Sequence, residues 1–247
     1  MKEVLKDKRV VVIGGSAGIG FAVAKAAITK SAEVIIVSSN RQRIDNALQN
    51  LSASTQGFVA DAGEEQQLKN LFEQIGNFDH LVYTAGDVIE SGLITQTDIE
   101  KSKQFFNVRF WGALSAVKHA IPFIRANGSI TLTSGIASER PYKRWGLGAS
   151  ITSAMEGFTR AMAMELAPVR VNVVSPGIVK TDVWSAIPEE KREQIFSHAA
   201  NILPVGKVAV PEDIALSYIY LMEQSYSTGQ TIIADGGGTL INIYSRI

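Results

Sequence analysis

The sequence predicts an α/β protein, with a doubly wound parallel sheet of about seven strands, helices on both faces, and a single domain over residues 1–247. Three observations carry that reading. Short β-branched runs alternate with longer helical patterns almost to the end of the chain, which implies βαβ units joined by right-handed crossovers. The first run, Val10-Val11-Val12-Ile13, is apolar at every position, as befits a strand covered on both sides. A glycine-rich turn, Gly14-Gly15-Ser16-Ala17-Gly18-Ile19-Gly20, follows it at once and opens a helical pattern.

Strands are expected at residues 9–13, 33–37, 57–59, 80–83, 129–133, 170–174 and 231–234, each a short apolar or β-branched run. Helices are expected between them at residues 18–30, 41–51, 64–75, 99–124, 148–166 and 211–222. Residues 178–207 are the least regular stretch. They follow the carboxyl end of a strand, where ligands bind in such folds, so they read as a substrate-covering lid. No linker, repeat or low-complexity stretch interrupts the alternation.

Composition narrows the function. Hydrophobic residues make up 46% and charged residues 19% of the chain, the balance of a soluble globular domain. The formal charge is zero, so no bulk electrostatic pull toward nucleic acid or an anionic membrane is expected. Cysteine is absent, which excludes disulfides and cysteine–zinc sites and fits a cytoplasmic location. The three histidines, His80, His119 and His198, are far apart, so no histidine-built metal site is expected. The first nine residues are too charged for a signal peptide, and no apolar run approaches the ~20 residues needed to span a bilayer.

The first turn is built to meet a diphosphate. Glycines allow a tight turn and close approach, and the helix behind presents free N–H groups and its positive end. Gly14, Gly18 and Gly20 are spaced G-x-x-x-G-x-G, with Ser16 and Ile19 beside them. The end of the second strand reads Val37-Ser38-Ser39-Asn40-Arg41 and carries no carboxylate to hold a ribose hydroxyl or repel a phosphate. Ser39, Asn40 and Arg41 can donate hydrogen bonds to a 2′-phosphate, so NADP(H) is the expected coenzyme and NAD(H) the second candidate.

Taken with four later segments, this pattern resembles the short-chain dehydrogenase/reductase family, whose domain is Rossmann-type. Asp61 matches the acidic residue after the third strand, with Ala62 beside it. Tyr83-Thr84-Ala85-Gly86 stands where Asn-Asn-Ala-Gly is usual. Arg170-Val171-Asn172-Val173-Val174-Ser175-Pro176-Gly177 matches closely, followed by Ile178 and, at the family's spacing, Thr181. The stretch from Thr228-Gly229-Gln230 to Ala234-Asp235-Gly236-Gly237 matches the last strand and its turn. The resemblance implies coenzyme contacts from Asp61, Ala62, Ala85, Gly86, Pro176, Gly177, Ile178 and Thr181. Asp61 also admits a plainer reading, as a helix N-cap with Glu64 three residues on.

The catalytic set is only partly kept. The family uses a tyrosine to move the proton, a lysine four residues later, a serine and an asparagine. Ser134 and Asn107 match the last two. The helix that should bear the pair has Gly148 in the tyrosine position and Thr152 in the lysine position. A positioned general acid contributes ~10²–10⁴ in rate, or roughly 3–5 kcal/mol, and neither residue can supply it. Either another residue donates the proton, with Tyr142 the candidate, or the substrate needs little acid help, as an enone-like acceptor would, or the chain binds nucleotide without turnover. Arg144 and Trp184 are the expected substrate contacts.

The expected function is therefore an NADP(H)-dependent oxidoreductase acting on a small carbonyl, alcohol or conjugated substrate. The alternative is a non-catalytic nucleotide-binding homologue, a sensor or silent subunit. A remote rival is a serine hydrolase, because Gly14-Gly15-Ser16-Ala17-Gly18 also spells G-x-S-x-G, although this turn follows the very first strand, with no preceding strand to build the oxyanion loop. The expected partners are a small-molecule substrate and further copies of the chain in a homotetramer or dimer, with no nucleic acid, membrane or metal.

Overall fold

The computed structural model describes residues 4–86 and 91–241. Seven parallel strands form one sheet in the order β3-β2-β1-β4-β5-β6-β7. They are β1 (Arg9–Ile13), β2 (Glu33–Ser38), β3 (Gln56–Val59), β4 (Phe78–Tyr83), β5 (Ile124–Thr133), β6 (Arg170–Pro176) and β7 (Thr231–Ala234). The helices are α1 (Gly18–Thr29), α2 (Arg41–Leu48), α3 (Glu65–Ile75), α4 (Ile99–Phe106), α5 (Ala113–Ala120), α6 (Gly146–Glu165), α7 (Glu189–Ile202) and α8 (Pro211–Glu223). The strand order reverses between β1 and β4, which places the ligand crevice at their carboxyl ends.

The period of two in the strands divides the core. On β1, Val11 and Ile13 join the apolar cluster under α3, α5 and α6. Val10 and Val12 join the opposite cluster under α1, α2 and α8. The run that is apolar at every position is thus one strand serving two cores. A third, smaller cluster gathers Ile136, Ile178, Phe196 and Leu203 over the carboxyl ends of the strands.

Three expectations are corrected. The single helix over 99–124 is broken: α4 runs into a π-helical segment, Asn107–Gly112, before α5, and α5 stops at Ala120. Pro122, which lacks an N–H, ends the helical ladder there. β5 then starts at Ile124 rather than at 129, because Ile124 pairs with Phe78 across a bulge before the regular register resumes at Ser129. The stretch 178–207 is not irregular throughout, since it contains the 14-residue helix α7. That helix buries only Phe196 and Ala199, so its sequence carries a weak apolar period.

Candidate active site

The first loop is shaped by contact. A side-chain carbon on Gly20 would lie 2.2 Å from the Gly14 carbonyl oxygen, so only glycine lets α1 start this close to the turn. The Gly14 and Gly15 amides donate to the Val37 carbonyl, tying the turn to β2. No side chain caps the start of α1, whose N-cap is Ala17. Its N–H groups and positive dipole end therefore face the crevice beside Ser16 and Gly18.

A cleft of about 470 Å3 runs from this loop across the ends of β2 and β3. Gly14, Ser16, Gly18, Ile19, Gly20, Ser39, Asp61, Ala62, Ala85, Gly86 and Thr181 all line it. Asn40 and Arg41 do not. The Asn40 side chain accepts from the Arg43 amide and caps α2. Arg41 turns to Asp45 at 3.0 Å, with 73% of its side chain exposed. Arg43, two residues further on, is the cation on the cleft wall. Asp61 lines the cleft and accepts from the Gly63 amide at 2.8 Å, while the N-cap of α3 is Glu64.

A second cavity of about 180 Å3 adjoins the cleft, sharing Ile19, Thr84, Gly86, Thr181 and Val183 with it. Ser134, Tyr142, Pro176, Gly177, Ile178 and Trp184 line it, as do Gly148 and Thr152. Arg144 and Asn107 line neither space. The Arg144 carbonyl accepts from the Gly92 amide on a left-handed turn of the chain. The Asn107 amide donates to the Gly63 carbonyl at 3.3 Å, stitching the end of α4 to the Asp61 loop.

The cavity holds two residues that sequence reasoning missed. Arg109 projects in from the π-helical segment, its guanidinium over the Phe105 ring at 5.3 Å. The wider π turn changes which side chains face inward, and helical periodicity gave no sign of it. Trp145 is the other. A side-chain carbon on Gly148 would sit 3.0 Å from its ring, so the indole takes up the space that a residue-148 side chain would enter. Thr152 cannot stand in for a lysine, because its hydroxyl donates within α6, to the Gly148 and Ala149 carbonyls.

The acid–base groups are few. Burial pushes the Tyr142 phenol above its ordinary value, with Arg140 opposing the rise and Asp235 adding to it. That makes Tyr142 a weaker acid and a persistent hydrogen-bond donor. The Ser134 hydroxyl faces the Thr152 carbonyl and Glu156 Oε1, both at 3.0 Å. Among the described residues no group of His, Asp or Glu could hold a metal ion, and no helix is long and apolar enough to cross a membrane.

A family profile described as an SDR-like Rossmann domain matches residues 2–241. The chain belongs to that family. Short-chain dehydrogenase/reductase ucsE of Acremonium sp is 33% identical to this SDR chain over 255 residues, covering 96% of it and 97% of the relative. Short-chain dehydrogenase/reductase fsr5 of Gibberella fujikuroi is also 33% identical, over 256 residues, with 96% of each chain covered. Among solved structures, a small-chain dehydrogenase in complex with NADPH is 35% identical, with a TM-score of 0.82 over 96% of this chain and 100% of that one. MalC Reductase/Diels-Alderase from Malbranchea aurantiaca is 30% identical, with a TM-score of 0.90 over 97% and 99% of the two chains.

Proposed function

We propose that this SDR chain is an NADP(H)-dependent oxidoreductase whose hydride acceptor is a small conjugated, enone-like compound. The observation that carries the reading is the continuity of the two spaces. A glycine-walled cleft with an uncapped helix start opens directly into an apolar cavity that contains one arginine. The cleft residues suit a dinucleotide: amides and Ser16 for the diphosphate, Asp61 and Ala62 at the adenine end, Ser39 and Arg43 for a 2′-phosphate. The NADPH-bound relative supports the same coenzyme.

When bound, the coenzyme supplies the hydride. The protein supplies position and charge. Pro176, Gly177 and Ile178 form the wall on the strand side, and Trp145 and Trp184 exclude water from the other. Arg109 and Ser134 donate toward an oxygen that turns anionic as hydride arrives at a conjugated carbon, which is electrostatic stabilisation of the developing charge. An ordinary ketone would need a positioned general acid at position 148, where there is only glycine. Tyr142 holds substrate as a neutral donor. Exposed apolar side chains, Trp111 at 57% and Met164 at 83%, support a homodimer or homotetramer, and the lack of cysteine suits a reducing cytoplasm.

The test is NADPH oxidation by purified protein against matched panels of enones and saturated ketones. Turnover with enones and little with ketones is expected, and NADPH is expected to outperform NADH. A second reading, a nucleotide-binding homologue without turnover, is favoured by the engaged Thr152 hydroxyl. NADPH binding with no consumption across both panels would establish that one instead. Absence of binding to either nicotinamide coenzyme would remove both.

A further inference from the structure

Glu156 lies one turn beyond Thr152 on α6 and is 6% exposed. No lysine, arginine or histidine among the described residues pairs with it. An apolar side chain would fill the position without the desolvation cost of a carboxyl group. Its Oε1 instead faces two hydroxyls, Ser138 Oγ at 2.6 Å and Ser134 Oγ at 3.0 Å. Each hydroxyl also faces a backbone carbonyl. Ser138 Oγ is 3.1 Å from the Gly135 oxygen, and Ser134 Oγ is 3.0 Å from the Thr152 oxygen.

Four contacts thus share the two serine protons. A hydroxyl with two acceptors in reach can turn from one to the other and still be bonded, which is what passing a proton requires. The two ends of the chain of groups differ. Ser134 lines the reaction cavity, whereas Ser138 sits in the turn after β5 and is partly exposed. We propose that Ser138, Glu156 and Ser134 form a proton wire from solvent to the cavity, in place of the absent tyrosine and lysine. The proposal rests on the oxidoreductase reading.

In the reductive direction, the substrate atom left anionic by hydride arrival takes the Ser134 hydroxyl proton. As that O–H bond breaks, Ser134 Oγ takes a proton from Glu156 Oε1, which receives it from Ser138 Oγ. Ser138 regains its proton from water. Each turnover then consumes one hydride from the coenzyme and one proton from solvent. Of the three residues of the wire only Ser134 touches the substrate, and Glu156 is a positioning residue that acts through it.

Two measurements on the full chain test this. In the unliganded protein, carboxyl-labelled glutamate followed by carbon NMR gives the Glu156 titration, assigned by its loss in Glu156→Gln. Ser134→Ala is expected to move the titration midpoint, and a midpoint indifferent to Ser134→Ala overturns the wire. In enone reduction, Glu156→Gln is expected to lower kcat about 100-fold and flatten its pH dependence, with NADPH affinity unchanged within about twofold. Glu156→Asp should recover part of both, and Ser138→Ala should raise the solvent deuterium isotope effect. Full kcat and an unaltered pH profile in Glu156→Gln overturn the proposal. If Glu156→Gln does not fold, Glu156→Asp assigns the signal instead, and the Ser134→Ala comparison and the Ser138→Ala isotope effect decide. Wild-type protein that never oxidises NADPH counts against the oxidoreductase reading, while the titration still judges the wire.

Discussion

The ring of Trp145 stands 3.0 Å from the point where a side chain on Gly148 would begin. Glycine at 148 and tryptophan at 145 are therefore one structural choice. Restoring the family's pair alone, as Gly148→Tyr with Thr152→Lys, should crowd the indole and lower stability by about 1–3 kcal/mol, read as a drop in Tm. Ketone reduction should stay near background in that double variant. Adding Trp145→Ala opens the space, and the triple variant is expected to gain measurable ketone turnover while losing enone activity.

Coenzyme choice should depend on Arg43 and not on Arg41. Both lie in the first turn of α2, but Arg41 is spent on Asp45 and Arg43 lines the cleft. A charge-assisted contact to phosphate contributes about 1.5–3 kcal/mol. Arg43→Ala is therefore expected to weaken NADPH about 10- to 100-fold and leave NADH nearly unchanged. Arg41→Ala should alter neither, as measured by nicotinamide fluorescence titration.

This pair also shows where the sequence speaks and where it is silent. The strand–turn–helix at residues 10–20 was readable because every position is constrained at once: two core faces, a tight turn and a close approach. The parallel sheet followed from the alternation of elements. Which of two nearby arginines lines the cleft depends on the cap made by Asn40, and how a helix start is turned leaves no trace in composition. Arg109 was hidden for a related reason. The apolar spacing over 99–120 reads as one continuous helix, whereas the wider turn at Asn107–Gly112 reassigns the inward positions. Helix α7 was missed because a surface helix with two buried residues has little period to detect.

Arg109 and Gly86 should prove interdependent. A side-chain carbon at position 86 would come within 2.8 Å of the guanidinium carbon, and both residues line the reaction cavity. Gly86→Ala should push the arginine out of place. The expected result is a fall of about tenfold or more in kcat/KM for enones. Arg109→Lys, with a smaller charged head and no planar fork, should lose as much. In the Arg109→Lys background, Gly86→Ala should add little further, and that non-additivity is the signature of a shared cause.

The far end of the sheet sets a pH limit on folding. His80 on β4 is buried, and its Nδ1 lies 2.9 Å from Ser129 Oγ on β5. Burial lowers its pKa from 6.5 to about 4, with neighbouring Asp79 opposing the fall and Arg170 and Lys8 adding to it. In that interval the unfolded chain binds a proton that the folded chain refuses, so stability rises with pH. The His80 contribution is complete above pH 6.5 and is lost as pH falls toward 4. A shift of that size corresponds to about 3 kcal/mol. Urea midpoints measured across this interval should fall more steeply for the wild type than for His80→Asn, which has no imidazole to protonate. Parallel curves for the two proteins would assign the acid sensitivity to other groups, with the Asp79 carboxylate, held by Lys8 and Arg125, the next to examine at lower pH.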